Sequence, residues 1–224
     1  MKLARLGFLP GVGINYDEGF LGTGKKLLVL GESHYARDKG ADMKNRQAFT
    51  RNQFGSLFEG AEPEAHLRRF VHSVNRILTG KSATSAEAWQ SLAFANFVQT
   101  FVNVSPHGEE FTEIGTGSIP RPSGAHWDEA NKKLPLLLDA LKPDCILVLG
   151  KTNWDRIQDR GQGKVEGDIW EVGDLKRKKD EFKPRNLYHF KYKGGIAHAT
   201  WVYHPSWSTE SSEKRRAVLM ALVS

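Results

Sequence analysis

The sequence predicts an α/β domain in which strands alternate with helices through right-handed crossovers. Two short apolar runs, Leu27–Leu30 (LLVL) and Cys145–Leu149 (CILVL), end at Gly31 and Gly150. Both read as strands buried on two faces of a parallel sheet. Between them lie stretches with apolar residues at helical spacing. The 224 residues contain no internal repeat and no low-complexity tract, and this length suits one large domain.

Along the chain, the basic and partly apolar segment Met1 to Pro10 lacks a continuous apolar stretch and a small-residue cleavage site, so it is not expected to be a secretory signal. Gly19-Phe-Leu-Gly-Thr-Gly24-Lys25-Lys26 imitates a nucleotide-binding loop. That motif needs a hydroxyl after its lysine, a strand before it and a helix after it. Here Lys26 stands at the hydroxyl position and a strand follows, so the segment predicts a plain approach to Leu27. Glu64 to Leu78 carries Leu67, Phe70, Val71, Val74, Ile77 and Leu78 at helical spacing. Phe97 to Val104 predicts a third strand. Trp127 to Leu141 predicts a helix that Pro135 kinks or divides. Residues 159–195 predict an irregular insert whose run Lys176-Arg177-Lys178-Lys179 is either a solvated loop or a phosphate-contacting element. Ala199 to Tyr203 predicts a fourth strand. Glu213 to Leu222 predicts a closing helix capped by Ser211 or Ser212.

Composition narrows the classes of function. Hydrophobic residues make up 39% and charged residues 26%, and no apolar run is long enough to span a membrane. Thirty-two Lys and Arg against twenty-six Asp and Glu give a net charge of +6, which is compatible with a polyanionic partner without requiring one. The single cysteine, Cys145, lies within an apolar run. It is expected to be buried and reduced, which fits a cytoplasmic protein and excludes an all-cysteine metal or iron–sulfur site. His107 and His126 have no metal-ligand spacing, so both read as structural or surface residues, and no cofactor is expected.

Ligands of parallel sheets gather at the carboxyl ends of the strands. Three expected strands are followed there by chemically distinctive residues: Gly31-Glu32-Ser33-His34-Tyr35, Ser105-Pro106-His107 and His204-Pro205-Ser206. Glu32 is a carboxylate suited to orienting a water and stabilising a cationic sugar. His204 is suited to donating a hydrogen bond to a departing base. Asn96 offers a donor and an acceptor that match one edge of a pyrimidine, unless it only caps backbone. Phe54 and Phe58 are candidate stacking faces. His34 reads either as a pocket wall or as a second acid/base group.

The ordered set from about Leu27 to Ala221 resembles the uracil-DNA glycosylase superfamily. Leu27-Leu-Val-Leu-Gly31-Glu32-Ser33-His34-Tyr35 is similar to the first motif, and Phe94-Ala-Asn96-Phe-Val to the segment that reads the base. Pro143-Asp-Cys-Ile-Leu-Val-Leu-Gly150-Lys151 resembles the central strand, and His204-Pro205-Ser206, with later serines and Lys214-Arg215-Arg216, the second catalytic motif. The resemblance implies a three-layer α/β/α sandwich around a four-stranded, mainly parallel sheet. It also implies metal-free, monofunctional hydrolysis of an N-glycosidic bond, with DNA as partner and the enzyme acting as a monomer. Glu32 and His204 become the catalytic pair. Gly31, Ser33, His34, Tyr35, Phe54 and Asn96 would contact the flipped nucleotide, and Ser206, Trp207, Ser208, Lys151, Lys178 and Arg215 the DNA. Trp207 is the candidate wedge, with a half-buried indole as the plain alternative.

The chain departs from the uracil-specific branch at Ser33, where that branch has Asp, and at His34, where it has Pro. It also lacks the cysteines of the iron–sulfur branch. These departures imply a divergent pocket, for uracil or for a bulky 5-modified cytosine of phage DNA, and hence a role in repair or in antiviral defence. Two rivals remain from the sequence: an N-glycosidase acting on free nucleosides or nucleotides, and a non-catalytic DNA-binding relative.

Overall fold

Leu27-Leu-Val-Leu-Gly31 is buried along its whole length because strands pair with both of its edges and side chains pack on both of its faces. The computed structural model describes residues 5–104, 111–112, 120–157, 187–206 and 210–224. Their main elements are β1 (Gly11–Val12), β2 (Leu27–Gly31), α1 (Lys39–Lys44), α2 (Phe49–Phe58), α3 (Arg68–Thr79), α4 (Ala86–Gln90), β3 (Leu92–Asn96), α5 (Gly124–Leu141), β4 (Cys145–Leu149), α6 (Lys151–Arg156), β5 (Tyr188–Tyr192), β6 (Gly195–Val202) and α7 (Ser212–Val223). The fold is α/β. Among the described residues its sheet has six strands in the order β1-β3-β2-β4-β6-β5, two more than the four expected. The inner four run parallel to one another, and β1 and β5 add antiparallel edges, so the sheet is mixed.

Alternation along each strand sorts the core into two faces. Leu28, Leu30, Ala93, Ala95, Ile146, Val148, Ala197 and Ala199 share one cluster with the apolar side of α5. Leu27, Val29, Leu92, Phe94, Cys145, Leu147 and Leu149 share the other with α2, α3, α4 and α7. Among the described residues no helix is long and apolar enough to cross a membrane.

Several expected elements shift. The strand anticipated at Phe97 to Val104 lies earlier, at Leu92–Asn96. Residues 92–99 and 101–104 are all buried, so burial alone does not mark where pairing stops. Past Asn96 backbone bonds to the segment after β2 persist at Phe97, Val98 and Val102, and amide side chains join them. Gln99 Nε2 donates to the Asn96 carbonyl at 2.6 Å, and Asn103 binds both the amide and the carbonyl of Ala36. Pro135 does not divide α5, which runs unbroken for 18 residues. A helical proline costs about 3 kcal/mol. Burial of Trp127, Leu134, Leu137, Leu138 and Leu141 on one side, at roughly 1.5–3 kcal/mol for a large apolar side chain, outweighs it. The first helix of the expected set begins at Arg68 rather than Glu64, and α7 takes Ser211 as its cap, whose side chain accepts from the Lys214 amide. The end of the expected irregular insert is regular: β5 and the start of β6 form a hairpin through Lys193 and Gly194. Lys176 to Lys179 lie outside the described residues. The Gly-rich segment before β2 buries Phe20 and delivers Lys26, whose amide donates to Asp144 Oδ2 at 2.8 Å.

One close approach governs the carboxyl end of the sheet. Gly31 pairs with Asn96 across β2 and β3, and a β-carbon on Gly31 would fall 2.2 Å from Asn96 Oδ1. Only glycine lets that carboxamide lie across the strand end. We expect Gly31→Ala to displace Asn96 and cost about 1–3 kcal/mol, the range for overpacking a filled site. Urea denaturation would register it, and unchanged stability would show that Asn96 has room to move.

Candidate active site

At the carboxyl end of the inner strands the chain surrounds a cavity of about 370 Å³, a size common among small-molecule sites. Glu32, Ser33, His34 and Tyr35 line it after β2, Asn96 at the end of β3, His204 and Ser206 after β6, and Phe54 from α2. Eight residues singled out from the sequence therefore share one cavity. β4 lies between β2 and β6, so the backbones leading to Glu32 and His204 are two strand spacings apart, roughly 10 Å.

The Glu32 side chain is only 15% exposed. Burial pushes its carboxyl above the usual range, and Arg121, 3.8 Å away, partly opposes this. His204 is held neutral: burial, then the charges of Arg121 and Arg215, bring it down to about 4. The Ser206 amide donates to His204 Nδ1 at 3.2 Å. A neutral imidazole that accepts at Nδ1 carries its proton on Nε2. That Nε2–H is a donor with no hydrogen-bond partner among the described residues. The ring lies 5.8 Å from that of Phe70.

His34 is a wall. It is 4% exposed, with Nε2 2.8 Å from Thr50 Oγ1 and the rings of Phe8 and Phe49 edge-on at 4.9 Å. Burial pushes it down to about 3, against a hydrogen bond with Gln53. The Tyr35 hydroxyl donates to the Pro120 carbonyl at 3.1 Å, which ties the cavity wall to the segment ahead of α5. Phe54 is buried among Phe70, Trp89 and Phe94, so its ring backs the cavity. Phe58 instead packs edge-on against Trp89, outside the lining. The Asn96 side chain makes no hydrogen bond among the described residues, which leaves its amide available to a ligand.

The expected DNA contacts separate. Lys151 is exposed at the start of α6, paired with Asp155 and 5.9 Å from the Trp201 ring centre, outside the cavity. Arg215, expected as a DNA contact, is 5% exposed. Its Nε and Nη1 are buried without a hydrogen-bond partner among the described residues, and its charge adds to the pressure that keeps His204 neutral. Trp207, Ser208 and Lys178 lie outside the described residues, as does His107. His126 is buried and serves the α5 cap with Ser123.

Sequence reasoning missed Arg121, which lines the cavity and is the cation nearest Glu32. Its only signal is an arginine between Pro120 and Pro122 just before a helix cap. It also missed Phe70, read only as a helix-core position, and Arg37, Gln53 and His66. Among the described residues no group of three His, Cys, Asp or Glu side chains is arranged to hold a metal. The arrangement can orient a water at a desolvated carboxylate while a neutral imidazole donates to an oxygen that gains charge.

Two measurements follow. Arg121→Ala removes a cation that favours ionised Glu32 and disfavours protonated His204. In an NMR titration both groups should titrate at higher pH than in the wild type; unmoved titrations would mean that solvent screens Arg121. The second concerns acid stability. His204 and His34 are depressed below their ordinary 6.5, to about 4 and about 3. The stability they contribute is complete above pH 6.5 and is lost as pH falls through that window, because the unfolded chain binds their protons first. Denaturation midpoints should fall from about pH 6.5 towards pH 4, less steeply in His204→Gln; an equal slope in that variant would remove His204 from the account.

No family model matches the chain, and no curated protein is significantly similar to it.

Proposed function

We propose that the protein is a monofunctional DNA glycosylase of the uracil-DNA glycosylase type, acting as a monomer in the cytoplasm on a pyrimidine flipped from DNA. One observation carries this reading. A desolvated carboxylate, Glu32, and a neutral imidazole donor, His204, line the same cavity at the ends of two strands separated by one, with a free carboxamide, Asn96, in that lining.

Hydrolysis of an N-glycosidic bond needs each of these groups. Glu32, as carboxylate, orients a water towards the anomeric carbon and stabilises the cationic sugar as the bond to the base lengthens. The bonding pair leaves with the base and spreads onto its exocyclic carbonyl oxygen. The Nε2–H of His204 donates to that oxygen as charge develops, with no proton needing to move first. Water supplies the new C–O bond, and Glu32 takes its proton. Asn96 reads the Watson–Crick edge, and the Phe54 and Phe70 rings offer an aromatic face, which is how flipped bases are held. Ser206 and the residues after it engage the phosphates. The substrate is uracil or a bulky 5-modified cytosine of phage DNA, and a cavity of about 370 Å³ gives room for a substituent. The biological role is accordingly base-excision repair or antiviral defence.

Purified protein should create alkali-labile abasic sites in one member of an oligonucleotide panel carrying uracil, hypoxanthine or glucosylated hydroxymethylcytosine. Glu32→Gln and His204→Ala should each lower the rate by roughly 10²–10⁴ while leaving DNA affinity nearly unchanged. Cleavage should weaken steeply with salt. Release of base from a free nucleoside, indifferent to salt, would favour a metabolite N-glycosidase. Full activity in both variants would refute the assigned pair.

A further inference from the structure

Asn153 is wholly buried in α6, outside the cavity lining. Its Nδ2 donates to the Gly31 carbonyl at 3.0 Å and reaches the Leu30 carbonyl at 3.4 Å, 122 and 123 residues away in sequence. The Gly31 carbonyl also accepts from the Phe97 amide at 2.9 Å, and the next carbonyl, that of Glu32, accepts from the Val98 amide at 2.9 Å. The peptide on which the Glu32 side chain is mounted is thus gripped from the residues just after β3 on one side and from α6 on the other. The turn into α6 lies beside both Asn153 and the second catalytic group. Gly150, with φ of +107°, turns the chain from β4 into α6, and a β-carbon there would lie 3.6 Å from His204 Cβ and 3.9 Å from Asn153 Cβ.

A purely structural role would not call for a carboxamide at this place. Asn153 Oδ1 is buried and has no hydrogen-bond partner, an arrangement that costs stability and that an apolar residue of the same size avoids. What leucine cannot supply is the amide that holds the two carbonyls ahead of Glu32.

We propose that Asn153 is a positioning residue, which fixes the Glu32 carboxylate at its working distance from His204 by tethering the carbonyls of Leu30 and Gly31. This rests on the glycosylase reading above. It makes α6 a strut between the two catalytic strand ends, with β4 as its base.

The test uses full-length Asn153→Leu and Asn153→Asp. Each is assayed for thermal stability, for single-turnover cleavage and DNA affinity, and for the titration of Glu32 by NMR with isotope-labelled glutamate. Both variants should fold. Asn153→Leu should cleave about 10²-fold more slowly at saturating DNA, with unchanged affinity, as expected when a reacting group is misplaced by an ångström. Asn153→Asp should be as slow at about pH 8 and recover relative to the wild type towards about pH 6, where a buried aspartic acid takes up a proton and donates its O–H to the Gly31 carbonyl. The Glu32 titration should move towards the ordinary carboxylate range in Asn153→Leu, since a released loop lets water reach the side chain. Folded variants with wild-type cleavage and wild-type Glu32 titration overturn the proposal, as does failure of both variants to fold, which would make Asn153 a folding residue. A wild-type protein inactive on every substrate, whose Glu32 titration still shifts in Asn153→Leu, would sink the glycosylase reading and leave the tether standing.

Discussion

Backbone pairing at the carboxyl ends of β2 and β3 is the constraint on which the site depends. Parallel strands end on the same side, so whatever follows each of them meets its neighbours there. Register decides which residues meet. Because Gly31 stands opposite Asn96, the carboxamide crosses the end of the neighbouring strand at a distance that no side chain would permit. Glu32 then emerges next to it, with its own carbonyl held by the Val98 amide. A slip of one residue would send Asn96 to the other face of the sheet and put a leucine against it.

The electrostatics of the cavity follow from removing water. Burial favours the uncharged form of both an acid and an imidazole, and so moves Glu32 up and His204 down. For the histidine this leaves a neutral ring whose proton on Nε2 can be donated. For the carboxylate it works against ionisation, and Arg121 provides the counterweight. Arg215 adds to the pressure on His204 from beneath the surface. Two cations thus add to burial in setting the protonation of one donor, and of the two only Arg121 lies at the cavity wall.

Much of this was legible in the sequence where the physics is local. β4 was read to the residue and β2 to within one residue at its end, because a short run of branched apolar residues ended by glycine has few other solutions. The residues after β2 and β6 were placed by the rule that parallel strands deliver their ligands at one end. β3 lies earlier than the sequence predicts, since residues 92–99 and 101–104 are alike buried and burial gives no mark of where regular pairing stops. Pro135 does not end its helix, because tertiary burial on the apolar side outweighs the local penalty. Arg121 and Asn153 were invisible for a different reason. Each acts on a residue about ninety or more positions away, a relation that no spacing in the sequence encodes. The burial of Arg215 is equally hidden, since a run of basic residues does not show which of its helical positions turns inward.

β4 contributes no side chain to the cavity lining, yet it stands between the strands that carry Glu32 and His204. The span of the cleft is therefore a whole number of interstrand steps, inherited from peptide geometry and indifferent to side-chain identity. Variation at Ser33, Tyr35 or Phe70 can reshape the chamber and alter which ligand fits it. The gauge between the carboxylate and the imidazole stays constant throughout, so this scaffold can drift among ligands of different outline while the same two groups keep the same span.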